Sequence, residues 1–188
     1  MRFLRRPRIR LLLAGALASL GAVLVSGAVV AQTSQLRVDI VNANGSEIGN
    51  VRMSETRFGT VDVEARLRRL EPGFHGFHIH AVGRCEPPDF KSAKGHIGEA
   101  EGQDHGGHTG DLSSLLVKRN GTATLRVTTD RFELDDLSDD DGSAVMIHAG
   151  PDNFANIPPR YAANGPDEET RETGDAGSRV ACGEIDGD

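Results

Sequence analysis

The stretch "QLRVDIVNANGSEIGNVRMS", residues 35–54, decides the fold. Its first half alternates apolar and polar residues, with Leu36, Val38 and Ile40 on one face. A two-residue period is that of a half-buried strand. Asn44-Gly45 then gives a hairpin turn signal, because both residues tolerate the positive φ that a tight loop requires. Residues 47–54 read as the return strand.

The same grammar extends along the chain. "GTVDVEARL", residues 59–67, alternates again, with Val61, Val63, Ala65 and Leu67 sharing a face. Pro72-Gly73 breaks the chain, and "GFHGFHIH", residues 73–80, follows as a further strand. Asn120-Gly121 separates two more, the second carrying Ala123, Leu125 and Val127. "SAVMIHAG" and "SRVACGEI" are two further short apolar runs. Nothing after residue 35 has a 3.6-residue period. Short strands with frequent turn signals predict an all-β, antiparallel sandwich or barrel. Two long segments, 84–113 and 149–178, interrupt the strands, and loops of that length inside one domain are usually functional. The acidic run "DDLSDDD", residues 135–141, reads as a solvated loop.

Residues 1–31 have a different character. "MRFLRRPRIR" carries five arginines and no acid, and residues 11–31 carry no charge at all. A basic start, an apolar stretch and small residues at its end are the marks of an export leader. Cleavage after Ala28 or Ala31 fits, and the run is also long enough for a retained membrane anchor. No cysteine lies near the cleavage region to take a lipid, and Arg5-Arg6 lacks a twin-arginine context. The chain thus divides into a leader, 1–31, and one domain, 32–188. Loss of the leader's five arginines takes the formal charge from −7 to −12. Such an acidic protein is a poor partner for nucleic acid. The expected location is the periplasm or the cell exterior, with membrane attachment only if the leader stays. Cys85 and Cys182 are the two cysteines, and in an oxidising compartment they read as a disulfide, with two buried free thiols as the alternative.

All seven histidines fall between residues 75 and 148. Strand parity turns His78 and His80 to one face while Phe77 and Ile79 face the core. Two imidazoles side by side make half of a metal site. His75 has the opposite parity. In the first long segment His105 and His108 stand three apart, and Asp111 follows three further on. With His96, the third histidine of that segment, this gives three imidazoles and a carboxylate, a set that suits tetrahedral Zn²⁺. His148 ends the apolar run "AVMI".

Three stretches, "GFHGFHIHAVGRC", "HGGHTGDL" and "TGDAGSRVACGEI", resemble the signatures of the exported bacterial copper-zinc superoxide dismutases. The resemblance covers residues ~35–185 and implies a Greek-key β-sandwich or barrel with two long functional loops. It implies copper bound by His78, His80, His96 and His148, and zinc bound by His96, His105, His108 and Asp111. His96 would bridge both ions. Asp152 matches the aspartate that joins His78 to His105, and His75 a structural histidine held by backbone. Arg179 matches the arginine that holds anionic superoxide beside the copper, and Thr173 the threonine that narrows the channel. A Cys85–Cys182 bond would pin the strand start carrying Arg179 to the metal loop. The family is a standing example of catalysis at the diffusional ceiling, where electrostatic steering matters. The resemblance leaves a homodimer open. The rival reading is an exported copper- or zinc-binding module without turnover.

Two departures modify these expectations. The segment after His96, "IGEAEGQD", lacks the Asn/Asp-Pro of many relatives, so the first loop can fold differently and Glu99, Glu101 or Asp104 can compete for zinc. The second loop has Arg160 and Arg171 but no lysine, against Asp167, Glu168, Glu169, Glu172 and Asp175. Weak long-range attraction of an anion follows, with slower and less salt-sensitive turnover.

Overall fold

The computed structural model describes residues 34–99 and 103–187. The leader and Glu101 lie outside the described residues. Nine strands follow one another: β1 (Gln35–Asn42), β2 (Glu47–Glu55), β3 (Val61–Leu67), β4 (Gly73–His75), β5 (Phe77–His80), β6 (Leu115–Val117), β7 (Ala123–Thr129), β8 (Ser143–His148) and β9 (Arg179–Ile185). β1 and β2 form the expected hairpin, with Val38 opposite Val51 and Leu36 opposite Met53. The Asn42 side-chain oxygen accepts from the N–H groups of Asn44 and Ser46, both at 3.0 Å, and Gly45 takes φ 73.

All pairings are antiparallel. They join the strands in one sheet of order β4-β6-β7-β3-β2-β1-β9-β8-β5. Its two end strands are neighbours in the chain, separated by Gly76 alone, so the sheet curls into a nearly closed barrel. The connections β3 to β4 and β7 to β8 pass over intervening strands, which makes the order Greek-key. Inward residues of both halves meet in one core, among them Ile40, Val51, Met53, Val63, Phe77, Ile79, Leu115, Val145 and Ile147. Burying each large aliphatic or aromatic side chain is worth about 1.5–3 kcal/mol.

The histidine segment differs from the single strand expected of it. It breaks at Gly76: β4 pairs with β6, and β5 with β8. The Gly76 N–H donates to Gly150 O, and Gly76 O accepts from His148 N–H, both at 2.9 Å. A Cβ at this position would stand 2.7 Å from the Ala176 Cβ, closer than packed carbons allow. The chain can change partner strands here because residue 76 has no side chain.

The second long segment holds a short helix, α1 (Glu168–Thr173), that hydrophobic periodicity does not reveal. Only Thr170 on it is buried, so there is no apolar stripe to read. Its ends carry the signal instead. Asp167 accepts the Thr170 N–H at 2.9 Å, and Gly174 closes the helix in the left-handed region at φ 59.

Cys85 and Cys182 form a disulfide with Cα atoms 5.7 Å apart, and the Cys85 N–H donates to the Glu184 carboxylate at 2.6 Å. This ties the start of the first long loop to β9. Among the described residues no helix is long and apolar enough to cross a membrane.

Candidate metal centre

β5 is buried on both faces. Phe77 and Ile79 enter the barrel core, as parity predicts, while His78 and His80 face outward beneath the first long loop. The loop is held there by main-chain bonds. Ile79 N–H donates to Gly110 O at 2.8 Å, Ile97 N–H to Ile79 O at 3.0 Å, and Ala81 N–H to Gly95 O at 2.9 Å. His96 therefore lies opposite His80, and Asp111 opposite His78. β8 runs along the other edge of β5 and delivers His148 at its end.

Two donor groups result, both buried. His78, His80, His96 and His148 form one, and His96, His105, His108 and Asp111 form the other; within each group the donor atoms lie within 4.8 Å of one another. His96 belongs to both. Its ring centre is 4.3 Å from that of His78 and 4.8 Å from that of His80. Its Nδ1 lies 3.1 Å from Asp111 Oδ1 and 3.3 Å from His108 Nδ1. Asp111 Oδ1 is also 3.0 Å from His105 Nδ1.

Fixed acceptors select the ring nitrogen that each histidine turns inward. His80 Nδ1 donates to Lys94 O (2.7 Å), His148 Nδ1 to Gly177 O (2.9 Å) and His108 Nε2 to Gln103 O (2.7 Å). His78 Nε2 and His105 Nε2 both meet the buried carboxylate of Asp152, at 2.7 and 2.8 Å. Nitrogens remain that face only members of the two groups: Nε2 of His80 and His148, 3.4 Å apart, and Nδ1 of His78, His105 and His108. His78 Nδ1 is buried with no hydrogen-bond partner. An orphaned buried nitrogen is costly unless a cation takes its lone pair. That orphan in the first group, and the convergence of the His96, His105 and His108 Nδ1 atoms on one oxygen of Asp111 in the second, fit the chain to a pair of metal ions.

Charge balance agrees with that fit in the first group. Burial lowers His78 to about 4 against the pull of Asp152, and burial with the neighbouring His78 lowers His148 to about 3. Burial, with His96, Arg179 and His148 nearby, pushes His80 well down. These rings are neutral at ordinary pH, which is the ligating form. His105 differs. Burial opposes its charge, but Asp111 and Asp152 outweigh burial and raise it to about 9. In return the imidazoles overcome burial and hold both carboxylates well below their usual range.

The structure brings His78, His80, His96, His105, His108, Asp111, His148 and Asp152 into one cluster, with Thr173 and Arg179 beside it. His75 stands apart from both donor groups: its Nδ1 lies 2.6 Å from His148 O and its Nε2 2.8 Å from Glu71 O. Arg179 donates to Phe90 O at 2.8 Å and to Lys94 O at 2.6 Å, so one carbonyl receives both Arg179 and His80. With Thr173, Arg179 lines an open depression of about 570 Å³ over His80, His96 and His148. Of the competitors considered for the second group, Glu99 and Asp104 are placed elsewhere, and Glu101 lies outside the described residues. The Glu99 carboxylate accepts the main-chain N–H of His96 at 2.8 Å, and Asp104 is exposed, 3.7 Å from Arg171.

Two contributors had no clear mark in the sequence. Arg131 donates to His108 O and Gly106 O, both at 2.7 Å, and so holds the loop that carries the second group. Phe154 stacks on His105 with ring centres 6.1 Å apart and planes at 12°. The carbonyls of Lys94, Gln103 and Gly177 are invisible in sequence because every residue has one.

A Greek-key barrel bearing two histidine-rich groups that share one imidazole is a protein built to hold two cations side by side. The family description "Copper/zinc superoxide dismutase (SODC)" matches residues 47–185. The chain is 53% identical over 131 residues to the copper-zinc superoxide dismutase of Mycobacterium tuberculosis, covering 62% of this chain and 55% of that one. It thus spans just over half the length of that relative. It is 35% identical over 184 residues to the Escherichia coli K12 copper-zinc superoxide dismutase, covering 90% of this chain and 96% of that one. The Cu/Zn superoxide dismutase of Brucella abortus superposes with a TM-score of 0.65 at 26% identity, covering 81% of this chain and all of the other. The chain belongs to the copper/zinc superoxide dismutase family.

Proposed function

We propose that the chain converts superoxide to oxygen and hydrogen peroxide at a copper held by His78, His80, His96 and His148, next to a zinc held by His96, His105, His108 and Asp111. The observation that carries this is the sharing of His96 by two buried donor groups. Four imidazoles suit Cu²⁺, and three imidazoles with a carboxylate suit Zn²⁺. Bound copper supplies one-electron exchange, oxidising one superoxide to O₂ and reducing a second, with two protons, to peroxide, while zinc supplies charge and geometry alone.

The chain's own residues do the rest. His96 differs from the other ligand histidines in having no fixed acceptor outside the donor groups, so both its nitrogens can serve the two ions, and the one on the copper side is the atom that would take a proton and return it. Asp152 fixes the rings of His78 and His105 and so couples the two sites. Arg179 presents a guanidinium at the depression, where it draws in the superoxide anion and orients it. Thr173 narrows that approach. His75 braces the strand ends by meeting the carbonyls of Glu71 and His148. Nothing in the site favours a binding module without turnover.

The export leader in the sequence and the disulfide together support a periplasmic or extracellular location. Mass measurement of the mature N-terminus separates a cleaved leader from a retained anchor.

Metal analysis combined with a superoxide-consumption assay tests the reading. Two metals per chain are expected, with turnover that falls sharply in Arg179→Ala and vanishes in His148→Ala. Two bound metals without consumption would overturn it.

A further inference from the structure

The inference here rests on that functional reading and concerns Glu99, which follows the shared histidine by three residues. The turn His96–Glu99 is closed in both directions. The Glu99 N–H donates to His96 O at 3.2 Å, and the Glu99 carboxylate accepts the His96 N–H at 2.8 Å. The carboxylate rests over Gly95, where a Cβ would collide with it. It also lines the depression shared by His80, His96, His148 and Arg179. Four carboxylates, Glu99, Glu169, Glu172 and Asp175, line that depression against the single cation Arg179. Glu99 differs from the other three in being hydrogen-bonded to the shared histidine. Together with Asp89 it opposes the loss of charge that burial imposes on Arg179.

We propose that Glu99 is a positioning residue with two separable effects: its oxygen fixes the main chain of His96, and its charge weakens the pull of Arg179 on the incoming anion. A hydrogen bond to a carboxylate is stronger than one between neutral groups, and this one acts where the loop must hold a ring between two sites. Charge and hydrogen bond come apart by substitution. Glu99→Gln keeps an oxygen for the His96 N–H and removes the charge. Glu99→Asp keeps the charge and shortens the reach. Glu99→Ala removes both.

Amide hydrogen exchange at His96, followed in the metal-free full chain, reads the first effect without metal or substrate. Exchange is expected to be roughly tenfold faster in Glu99→Ala and Glu99→Asp and near the parent value in Glu99→Gln. The loaded enzyme reads the second effect. Glu99→Gln is expected to raise kcat/KM roughly twofold at low salt, a gain that shrinks as salt screens the charge. Unchanged exchange at His96 in both Glu99→Ala and Glu99→Asp overturns the positioning role; should Glu99→Ala not fold, Glu99→Asp decides alone. A Glu99→Gln enzyme equal to the parent at every ionic strength overturns the charge role. A parent chain that binds both metals yet consumes no superoxide defeats the functional reading, and the exchange result stands apart from it.

Discussion

The two long loops reach the same cluster of histidines and contribute different things to it. Residues 84–113 bring donors: His96, His105, His108 and Asp111. Residues 149–178 bring no member of either four-residue group. They bring acceptors, the carboxylate of Asp152 and the carbonyl of Gly177, which decide the nitrogen that His78, His105 and His148 turn inward. The first loop supplies coordinating side chains together with two orienting carbonyls, those of Lys94 and Gln103, and the second supplies orientation alone. Losing a donor should remove a site, and losing an acceptor should blur one.

The largest effect tests that asymmetry directly. His96→Ala takes one donor from both groups, and superoxide consumption should fall to background with loss of native two-metal binding. A variant that kept near-parental turnover would remove the basis for assigning coordination to the first loop. On the other side, Asp152→Ala should weaken metal retention by roughly 10–100-fold, the range for partners that orient ligands, while leaving both groups able to bind at saturating metal. Competition with a chelator measures this. Equal damage from the two variants would erase the distinction between the loops.

Loosening the first loop at its anchor should matter less to chemistry than to stability. Cys85→Ser removes the tie to β9 and should cost about 2–5 kcal/mol, read as a lower melting midpoint. An unchanged midpoint would show that main-chain bonds to β5 hold the loop by themselves.

A smaller effect concerns protons in the metal-free chain. His78 and His148 have folded values of about 4 and about 3, below the ordinary 6.5. The unfolded state then binds more protons as pH falls below 6.5, so stability drops as acid is added toward pH 4. His105, raised to about 9 by Asp111 and Asp152, behaves oppositely: its contribution is full below 6.5 and is lost as pH rises through about 9. Melting midpoints across pH should show an optimum between these limits. In Asp152→Ala the alkaline limb should move to lower pH, because one of the two carboxylates holding His105 is gone. The smallest effect is in salt. With acids around Arg179, turnover should vary only weakly with ionic strength, and a steep decline would mean that steering is stronger than the charges on the second loop allow.

Sequence pattern reached the barrel's regular parts well and the site unevenly. Alternation at Val61, Val63, Ala65 and Leu67 reports directly which face is buried, because in a strand that face is set by local geometry. The same parity placed His78 and His80 together. Local geometry says nothing about where a loop lies, and the pairing of His96 with His80 is long-range. It came from the resemblance, as did Arg179. The break at Gly76 was hidden because residues on both sides keep strand conformation and only the partner changes. α1 was hidden because it is too short and too exposed to have an apolar face, although Asp167 and Gly174 marked its ends. Arg131 acts through two carbonyls, and an arginine after a strand looks like any surface cation.

The Lys94 carbonyl, which receives both the His80 ring and the Arg179 guanidinium, has a consequence for anyone who would re-engineer the protein. A single peptide unit sets the attitude of the proposed copper ligand and of the proposed anion guide. On that assignment, altering residues 90–94 to admit a different small molecule would tilt both side chains in the same stroke, and transplanting either role to another scaffold would mean moving the whole segment.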